Sequence, residues 1–571
     1  MADIEHVVVL MLENRSFDHL LGYVPHPDPE FDGLVGHTHR NPGWGRGSAV
    51  PTSPEAKQVL SVGPDHSHDA VMQQLALRRG RPTNRGFVRS YERKARNLDP
   101  PVFGGLFGPP ANWARRLLAK PSPGVKGRGP LAMACQPPQN VPVLARLATE
   151  FAVCSRWFCS VPGETWPNRN FAHAATSDGL TDIEIRPYTN RTVFELLEQA
   201  GADWRIFYDD TPQVWAFPAL WDTPERHAKW FPMARFADHV AAGELTAYTF
   251  IEPNHRPPLR TLDHAPLIGV PDLSDSQHPE NNLVSNAAYD NFTLRGESDF
   301  TRAEQLIATI YEALRAHPDV FAKTLLLITY DEHGGLYDHV PPPTGVPAPG
   351  GEVSMVGRLQ RALFYRKTAA FNFTMLGPRV PAVVVSPRVR AGTVDAEPRD
   401  HASIPATLRA LFAPGAEPLT ARDRWSPPFH GLLTLPGPRT DLPTLAEYST
   451  ELSTAITTTA AAVAGPATAG PPAPAASTQA PSTQASPTQA PATQAPAVPG
   501  YYQPFLALAD QVQEHLAAVG EPEVAGIATS PAALHGTQVT RAFAAAADRH
   551  RRHADHRRRA TAGPRTGPGG C

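Results

Sequence analysis

The sequence predicts an α/β fold in which a central, mostly parallel β-sheet is flanked by helices. Two apolar runs, 6–12 and 324–330, carry this prediction, because each is followed at once by acidic or amide residues. Runs rich in β-branched or aliphatic side chains are typical of strands buried on both faces, as in a parallel sheet. The chain has 571 residues, of which 41% are apolar, so it can bury a large core.

The first run predicts a strand that ends next to Glu13 and Asn14. In open α/β sheets, ligands bind outside the carboxyl ends of the strands. A carboxylate and a carboxamide oxygen at that edge suit a divalent cation, so both residues are candidate metal ligands. The alternative is that Asn14 or Ser16 caps the next helix.

The second run is also followed by polar residues: Asp331, Glu332 and His333 come directly after it, and a Gly-Gly pair follows them. Glycines at this point would allow the backbone to approach a ligand closely. Acidic and histidine clusters of this kind are typical of metal sites. Asp331 and Glu332 are therefore further candidate metal ligands, and the alternative is an ordinary surface turn.

Thr165 precedes a predicted helix, because Pro167 follows it and proline is favoured at the first helical position. Free backbone N–H groups and the helix dipole favour an anion at such an end. A hydroxyl presented to that anion is a candidate nucleophile, which indicates a phosphate ester as substrate. The alternative for Thr165 is a simple helix cap.

The segments 13–18, 165–169 and 330–340 together resemble the bacterial phosphoesterase family that contains non-haemolytic phospholipases C and a group of acid phosphatases. The resemblance spans about residues 5–415. Weaker matches fill the gaps at 63–66, 86–88, 250–253, 277–279 and 399–403. It implies an alkaline-phosphatase-like core, a Ser or Thr nucleophile, and a metal beside it. Applied to this sequence, the resemblance implies that Thr165 is the nucleophile and that Glu13, Asn14, and Asp331 or Glu332 are the metal ligands. Thr165 would also contact the metal.

A metal would be the larger contribution to activating the nucleophile. It lowers the pKa of bound water from about 15.7 to about 7, or about 12 kcal/mol, whereas a histidine base contributes about 3 to 5 kcal/mol. Histidines are better placed to protonate the leaving group and to stabilise phosphoryl charge. The candidates beside the motifs are His66, His278, His333 and His339.

Arg169 and Asn168 are candidate substrate-binding residues, because a planar guanidinium matches a phosphate oxygen pair. A salt bridge on the helix face is the alternative for Arg169. The spacing from Thr165 to Arg169 also resembles the sulfatase motif, but threonine cannot be converted to formylglycine. Phosphate esters are therefore favoured over sulfate esters.

The net charge of −3 gives no indication of a polyanionic partner, so we expect no nucleic-acid partner. The cysteines at 135, 154, 159 and 571 match no zinc spacing, and a 154–159 disulfide would require export. No signal peptide or membrane-spanning run is visible, which predicts a cytoplasmic protein, with export by a non-standard route as the alternative.

The composition predicts a catalytic domain at 1–450, a disordered linker rich in Ala, Thr, Pro, Ser and Gln at 451–500, and a helical segment with a basic tail at 501–571. The tail or the substrate could bring the protein into peripheral contact with a membrane.

Together, these features predict a metal-assisted phosphoric ester hydrolase. Phospholipase C activity on diesters such as phosphatidylcholine, through a phospho-Thr165 intermediate, is favoured. The alternatives are an acid phosphatase acting on monoesters and an inactive binding module tethered by the linker. The metal, whether calcium, manganese, zinc or iron, is left open by an oxygen-rich ligand set with a few histidines.

Overall fold

A computed structural model describes residues 4–43, 48–56, 60, 63–93, 129–184, 187–209, 212–255, 275–279, 300–350 and 371–448. The predicted linker at 451–500 and helical segment at 501–571 lie outside these ranges. In the described part of the chain, no helix is both long enough and apolar enough to span a bilayer.

The described strands form one large sheet and two short pairs. In chain order they are β1 (His6–Leu12), β2 (Arg40–Pro42), β3 (Ala49–Pro51), β4 (Ala152–Cys154), β5 (Trp157–Phe158), β6 (Trp204–Tyr208), β7 (Trp230–Pro232), β8 (Tyr248–Glu252), β9 (Thr324–Tyr330), β10 (Ala382–Val385), β11 (Thr393–Asp395) and β12 (Arg399–Asp400). The large sheet has the order β11-β4-β10-β9-β1-β8-β6-β7. Strands β12 and β5 form one short pair, and β2 and β3 form the other.

The large sheet is mostly parallel, which confirms the predicted fold class. Strands β9, β1, β8, β6 and β7 run parallel to one another, whereas β10 is antiparallel to both of its neighbours, β9 and β4. The two central strands have the bounds predicted from the apolar runs. Every residue of β9 is buried, as is every residue of β1 except the first, because both faces of the sheet are covered.

Helices cover the sheet. They are α1 (Phe17–Leu21), α2 (His68–Leu75), α3 (Phe87–Arg93), α4 (Pro142–Glu150), α5 (Thr165–Ala174), α6 (Val193–Gln199), α7 (Pro224–His227), α8 (Phe236–Ala241), α9 (Phe300–Arg315), α10 (Pro318–Phe321), α11 (Ser403–Phe412) and α12 (Ala421–Trp425). Helix α9 packs on α4 and α8, while α11 packs on α5 and α6. The largest apolar cluster joins these helices to the central strands, so the sheet core is continuous with the helix carrying Thr165.

The described cysteines are free thiols. Cys135, Cys154 and Cys159 are all buried, so the disulfide considered for 154–159 is not formed. Burial raises the pKa of each thiol well above its usual value, which makes these side chains unreactive parts of the core.

Candidate active site

Acidic and amide side chains converge where β1 and β9 end side by side. Leu12 pairs with Tyr330 in the register of these strands, so the residues that follow both strands meet at one edge. There the Asp331 carboxylate accepts hydrogen bonds from the backbone N–H groups of Asn14, at 2.9 Å, and Glu332, at 2.6 Å. The structure therefore brings together the predicted residues from two segments that are more than 300 positions apart.

The buried side chain of Arg169 forms hydrogen bonds at the ends of three strands, β1, β8 and β9. Its Nε donates to Asp331 at 3.1 Å, and its Nη1 donates to Glu252, the last residue of β8, at 2.9 Å. Nη2 donates to the carbonyl oxygens of Met11 and Leu12 at the end of β1. The side chain has no exposed surface. In this structure its contacts fix the strand ends, and the substrate contact of Arg169 stays a prediction.

Thr165 begins α5 and lies beside this cluster. Its hydroxyl donates to the side-chain oxygen of Asn14 at 3.2 Å. The N-cap residue, Glu164, makes no side-chain cap, and its carboxylate instead accepts from the backbone of Ile183. The helix end is therefore not closed by a side-chain cap, as an anion site requires. Pro167 is the third helical residue rather than the first, a position that also lacks an intrahelical N–H bond.

The side chain of Asn168 forms hydrogen bonds that hold the loop leading to Thr165. Its side chain accepts from the Val161 N–H at 3.1 Å and donates to the carbonyl oxygens of Val161, Gly163 and Glu164. Asn168 is fully buried, and its contacts in this structure hold the loop before Thr165; its contact with a substrate stays a prediction.

Asn14 adopts a left-handed backbone conformation, with φ of 57°, immediately after β1. Non-glycine residues seldom adopt it, and such strain is often concentrated at functional sites. Ser16, rather than Asn14, caps helix α1, since its hydroxyl accepts from the His19 N–H. Asn14 is therefore available to the site. Gly334 packs so closely on the Asn14 carbonyl that a Cβ would overlap it, so this glycine serves a contact within the protein rather than the ligand approach expected.

His66 borders the same cluster. Its Nδ1 lies 3.2 Å from the Pro64 carbonyl, which can only accept, so Nδ1 carries the proton in the neutral ring. Nε2 can then accept from the Asn14 side-chain amide at 3.3 Å, and it lies 4.0 Å from the Glu332 carboxylate. The ring of His278 lies edge-on to His66 with centroids 5.9 Å apart. The structure brings these two predicted histidines together near Thr165.

His333 and His339 have other surroundings. His333 is fully buried, donates from Nε2 to Gln74 at 2.7 Å, and has its pKa lowered to about 3 by burial and by the nearby His66. His339 donates to Asp18 at 2.8 Å and to Asp32 at 3.0 Å. Burial alone would lower the pKa of His339, but these bonds raise it to about 10. Neither ring contacts Thr165 or Asn14, so the structure does not place them as proton donors there.

Three residues of the site were not singled out by sequence reasoning. Glu252 holds Arg169, and the His255 ring lies 3.5 Å from Glu252 and 3.9 Å from Glu13. His401 accepts from the Trp157 N–H at Nδ1, so its Nε2 carries a proton and donates to the Asp331 carbonyl at 2.6 Å.

One signal was present for Glu252, because it follows an apolar strand just as Glu13 and Asp331 do. That signal was weak because the apolar run of β8 is shorter than those of β1 and β9, and because Glu252 is a single acidic residue. His401 lies in the weaker family match at 399–403, but that match assigned no role to it. For His255 the sequence offers no comparable pattern, since this residue follows no apolar run directly.

Burial raises the pKa of two carboxyl groups at this edge, those of Glu13 and Glu332. Burial raises the pKa of Glu13, and the charge of Asp331 adds to this effect while His255 opposes it. Burial raises the pKa of Glu332 to about 8, again with Asp331 adding to the rise and His66 opposing it. Such concentrations of buried negative charge are typical of functional sites.

The donor atoms suit a hard divalent cation. Glu13 Oε2 and Glu332 Oε1 are buried and accept no hydrogen bond from any residue that the structure describes. Oxygens of Asn14 and Thr165 belong to the same hydrogen-bonded cluster, and all of these are hard donors. Within the described ranges, no three His, Cys, Asp or Glu side chains form a shell that could hold a metal ion by themselves.

The chain is similar to several phospholipases. It is 33% identical to non-specific phospholipase C3 of Arabidopsis thaliana over 77% of this chain and 75% of that protein. Non-hemolytic phospholipase C of Burkholderia pseudomallei strain K96243 is 26% identical over 72% of this chain and 55% of its own length. Phospholipase C A of Mycobacterium tuberculosis is 26% identical over 74% of this chain and 75% of its own length.

A solved structure from the alkaline phosphatase superfamily, from Vibrio parahaemolyticus, aligns with 48% of this chain and 60% of its own, at 10% identity and a TM-score of 0.25. At this TM-score the overlap is too small to assign a role to any residue. The family model for the Phosphoesterase family matches residues 4–413, the region in which the motifs resemble that family. The predicted membership is confirmed: the chain belongs to the Phosphoesterase family and is a phosphoester hydrolase.

Proposed function

We propose that this hydrolase is a phospholipase C that transfers the phosphorylated head group of a phosphodiester lipid first to Thr165 and then to water. The observation that carries the proposal is the position of the Thr165 hydroxyl. It lies at a helix end without a side-chain cap and donates to Asn14 beside the buried carboxylates. The phospholipase C names of the similar proteins support the same reaction.

In the first step, the Thr165 oxygen forms a bond to phosphorus and its hydroxyl proton is released to solvent. The bond between phosphorus and the diacylglycerol oxygen breaks, and that oxygen takes up a proton. Backbone N–H groups in the first turn of α5 face the phosphoryl oxygens and stabilise their charge, as at other helix N-termini. Arg169 and Asn168 hold the strand ends and the preceding loop in place during this step.

The hydrolase would bind a divalent cation through Glu13, Asn14, Asp331 and Glu332, with the Thr165 oxygen as a further donor. When bound, the cation would lower the pKa of the hydroxyl and offset phosphoryl charge. Removing such an ion from this set of hard donors should abolish turnover.

His66 and His278 are the proton donors in this proposal. The His66 ring contacts the amide of Asn14, which also accepts from Thr165, and the His278 ring lies edge-on to His66. His333 and His339 are instead bonded to Gln74 and to carboxylates elsewhere. One ring protonates the leaving oxygen in the first step. In the second step the ring, now neutral, takes a proton from the attacking water, whose oxygen forms a bond to phosphorus. The bond between Thr165 and phosphorus breaks, and the Thr165 oxygen regains a proton from solvent.

A quaternary ammonium head group would need an aromatic face. Of the aromatics near the motifs, Trp157 and Tyr337 are buried, and the Trp157 N–H is bonded to His401. Tyr208 is partly exposed and packs beside Trp215 and Trp230. Trp166 is also partly exposed and directly follows Thr165, which makes it the best candidate to contact choline.

A panel of substrates tests the proposal. The purified protein is assayed with phosphatidylcholine, other phospholipids, and aryl monophosphates across pH, with Thr165→Ala assayed in parallel to exclude contaminating activity. We expect diesters to turn over faster than monoesters. A preference of tenfold or more for monoesters would assign the protein as a phosphatase instead.

Leaving-group chemistry tests the histidines separately. Nitrophenolate leaves without a proton, whereas an alkoxide needs one. His66→Gln or His278→Gln should therefore slow alkyl esters much more than nitrophenyl esters. Equal losses on both esters would show that the altered ring is not the proton donor.

A further inference from the structure

An exposed basic hairpin follows helix α2. The backbone of Arg78 and Arg81 forms a reciprocal pair of hydrogen bonds at 2.8 and 3.1 Å, and Arg79 and Gly80 between them have φ of 53° and 78°. Two positive φ values at the central positions are those of a tight type I′ turn. Arginine is an unusual residue at such a position, where asparagine or glycine is preferred, so the turn keeps a cationic side chain at some conformational cost.

The surface of this hairpin is cationic with one apolar side chain. Arg78, Arg79, Arg81 and Arg85 are exposed. Leu77 precedes them and is 41% exposed; with Val35, it is one of the large apolar residues exposed in the part of the chain that the structure describes. We define residues 77–85 as the basic hairpin.

These arginines are not paired with acids. In the described ranges, no ion pair involves any of the four, although exposed arginines elsewhere, such as Arg146, Arg235 and Arg424, each contact a carboxylate. The sequence between Asp69 and Glu92 contains no acidic residue. Within the described ranges, the charge of the hairpin is therefore not neutralised by carboxylates of the protein itself, although the net charge of the whole chain is −3.

The hairpin is fixed to the same edge of the sheet as the candidate active site. Before it, Gln74 bonds to His333, which follows β9. Within it, after the turn, Asn84 donates to the carbonyl oxygens of Asp338 and Val340 at 2.8 and 3.0 Å. Helix α2 separates it from His66, and its eight residues span about 12 Å.

We propose that the basic hairpin docks the enzyme on an anionic phospholipid surface, with its arginines on lipid phosphates and Leu77 in the interfacial region. This inference rests on the proposed phospholipase C function and adds where that enzyme meets its lipid. Basic residues next to an anionic membrane are each attracted by the surface potential, and an apolar side chain among them gains by leaving water. Because the backbone of the turn is already fixed by its hydrogen bonds, binding does not have to order it.

Vesicle binding by the full chain tests the docking surface. The triple variant Arg78→Gln, Arg79→Gln and Arg81→Gln is compared with a control of equal charge, Arg191→Gln, Arg235→Gln and Arg424→Gln. All six side chains are exposed, so the fold should tolerate both sets. Partition is measured onto vesicles of phosphatidylcholine with phosphatidylglycerol and onto phosphatidylcholine alone, together with hydrolysis of a soluble short-chain diester.

On the anionic vesicles, we expect the hairpin variant to bind about 100-fold more weakly than the parent and the control to stay within about threefold. Hydrolysis of the soluble diester should be unchanged in both. Parent-like vesicle binding by the hairpin variant would overturn the docking surface while leaving phospholipase activity standing. Heparin binding that depends on the basic hairpin, in a protein that does not bind vesicles, would also refute the proposal that this surface binds lipid. Vesicle binding that depends on the hairpin, in a parent that hydrolyses only monoesters, would support the surface and refute the phospholipase proposal.

Discussion

Replacing Arg169 by methionine should destabilise the protein and inactivate it together. The guanidinium is buried, and it donates to Asp331, to Glu252 and to the carbonyl oxygens of Met11 and Leu12. Methionine has a similar apolar volume but cannot donate. The two carboxylates would then be buried without their shared cation, which is the costly outcome when one partner of a buried ion pair is removed.

The expected loss in the free energy of unfolding follows from the burial of Arg169 and from its two ion pairs. Breaking a buried ion pair costs about 3 to 5 kcal/mol, and total stabilities are about 5 to 15 kcal/mol. We expect Arg169→Met to lower the free energy of unfolding by about 4 kcal/mol. The matched control is Arg146→Met, whose exposed pair with Glu150 at 2.9 Å should be worth less than about 1 kcal/mol.

Urea unfolding followed by tryptophan fluorescence measures the difference, and turnover is assayed on the folded fraction. The double variant Arg169→Met with Glu252→Gln should recover part of the lost stability, because one uncompensated charge is removed. Activity should stay low, since Asp331 still lacks its partner. An Arg169→Met protein within about 1 kcal/mol of the parent would refute the view that this charge holds the strand ends.

Further predictions concern the nucleophile, the cation and pH. Thr165→Ala should remove nearly all turnover and Thr165→Ser should retain part of it; an alanine variant within tenfold of the parent would exclude the nucleophile. Glu13→Gln and Glu332→Gln should lower metal content and activity together by at least about tenfold, and full activity after exhaustive chelation would contradict this. The folded-state pKa of His339 is about 10 against its usual 6.5, so its stabilisation is complete below pH 6.5 and disappears as pH rises through 10. The free energy of unfolding of His339→Gln should therefore fall about 1 to 3 kcal/mol below the parent at pH 6 and converge with it above pH 10.

The central strands could be read from the sequence because their apolar runs are long and uninterrupted. Both β1 and β9 have the predicted bounds, and parallel pairing then requires Asn14 and Asp331 to meet at one edge. The start of α5 at Thr165 was also predictable, because a proline is tolerated only in the first turn of a helix.

Side-chain direction was much harder to predict. Arg169 lies one helical turn after Thr165, so both face the sheet edge, but nothing local in the sequence reveals that β8 supplies an acid to meet the guanidinium. The partners of His339, Asp18 and Asp32, are about 300 residues away in sequence. Such pairs are decided by tertiary packing, which local periodicity does not encode.

The charge at the sheet edge bears on how the proposed reaction could proceed. Glu13, Glu252, Asp331 and Glu332 are all buried there, and Arg169 is the fully buried cation that contacts two of them. This leaves an excess of negative charge beside the helix end that is proposed to receive a phosphate anion. Repulsion between these carboxylates and the substrate would oppose binding, because buried charges are poorly screened. In our proposal, the phosphate therefore binds when the excess is offset by a cation or by protonation of Glu332, whose pKa is raised to about 8.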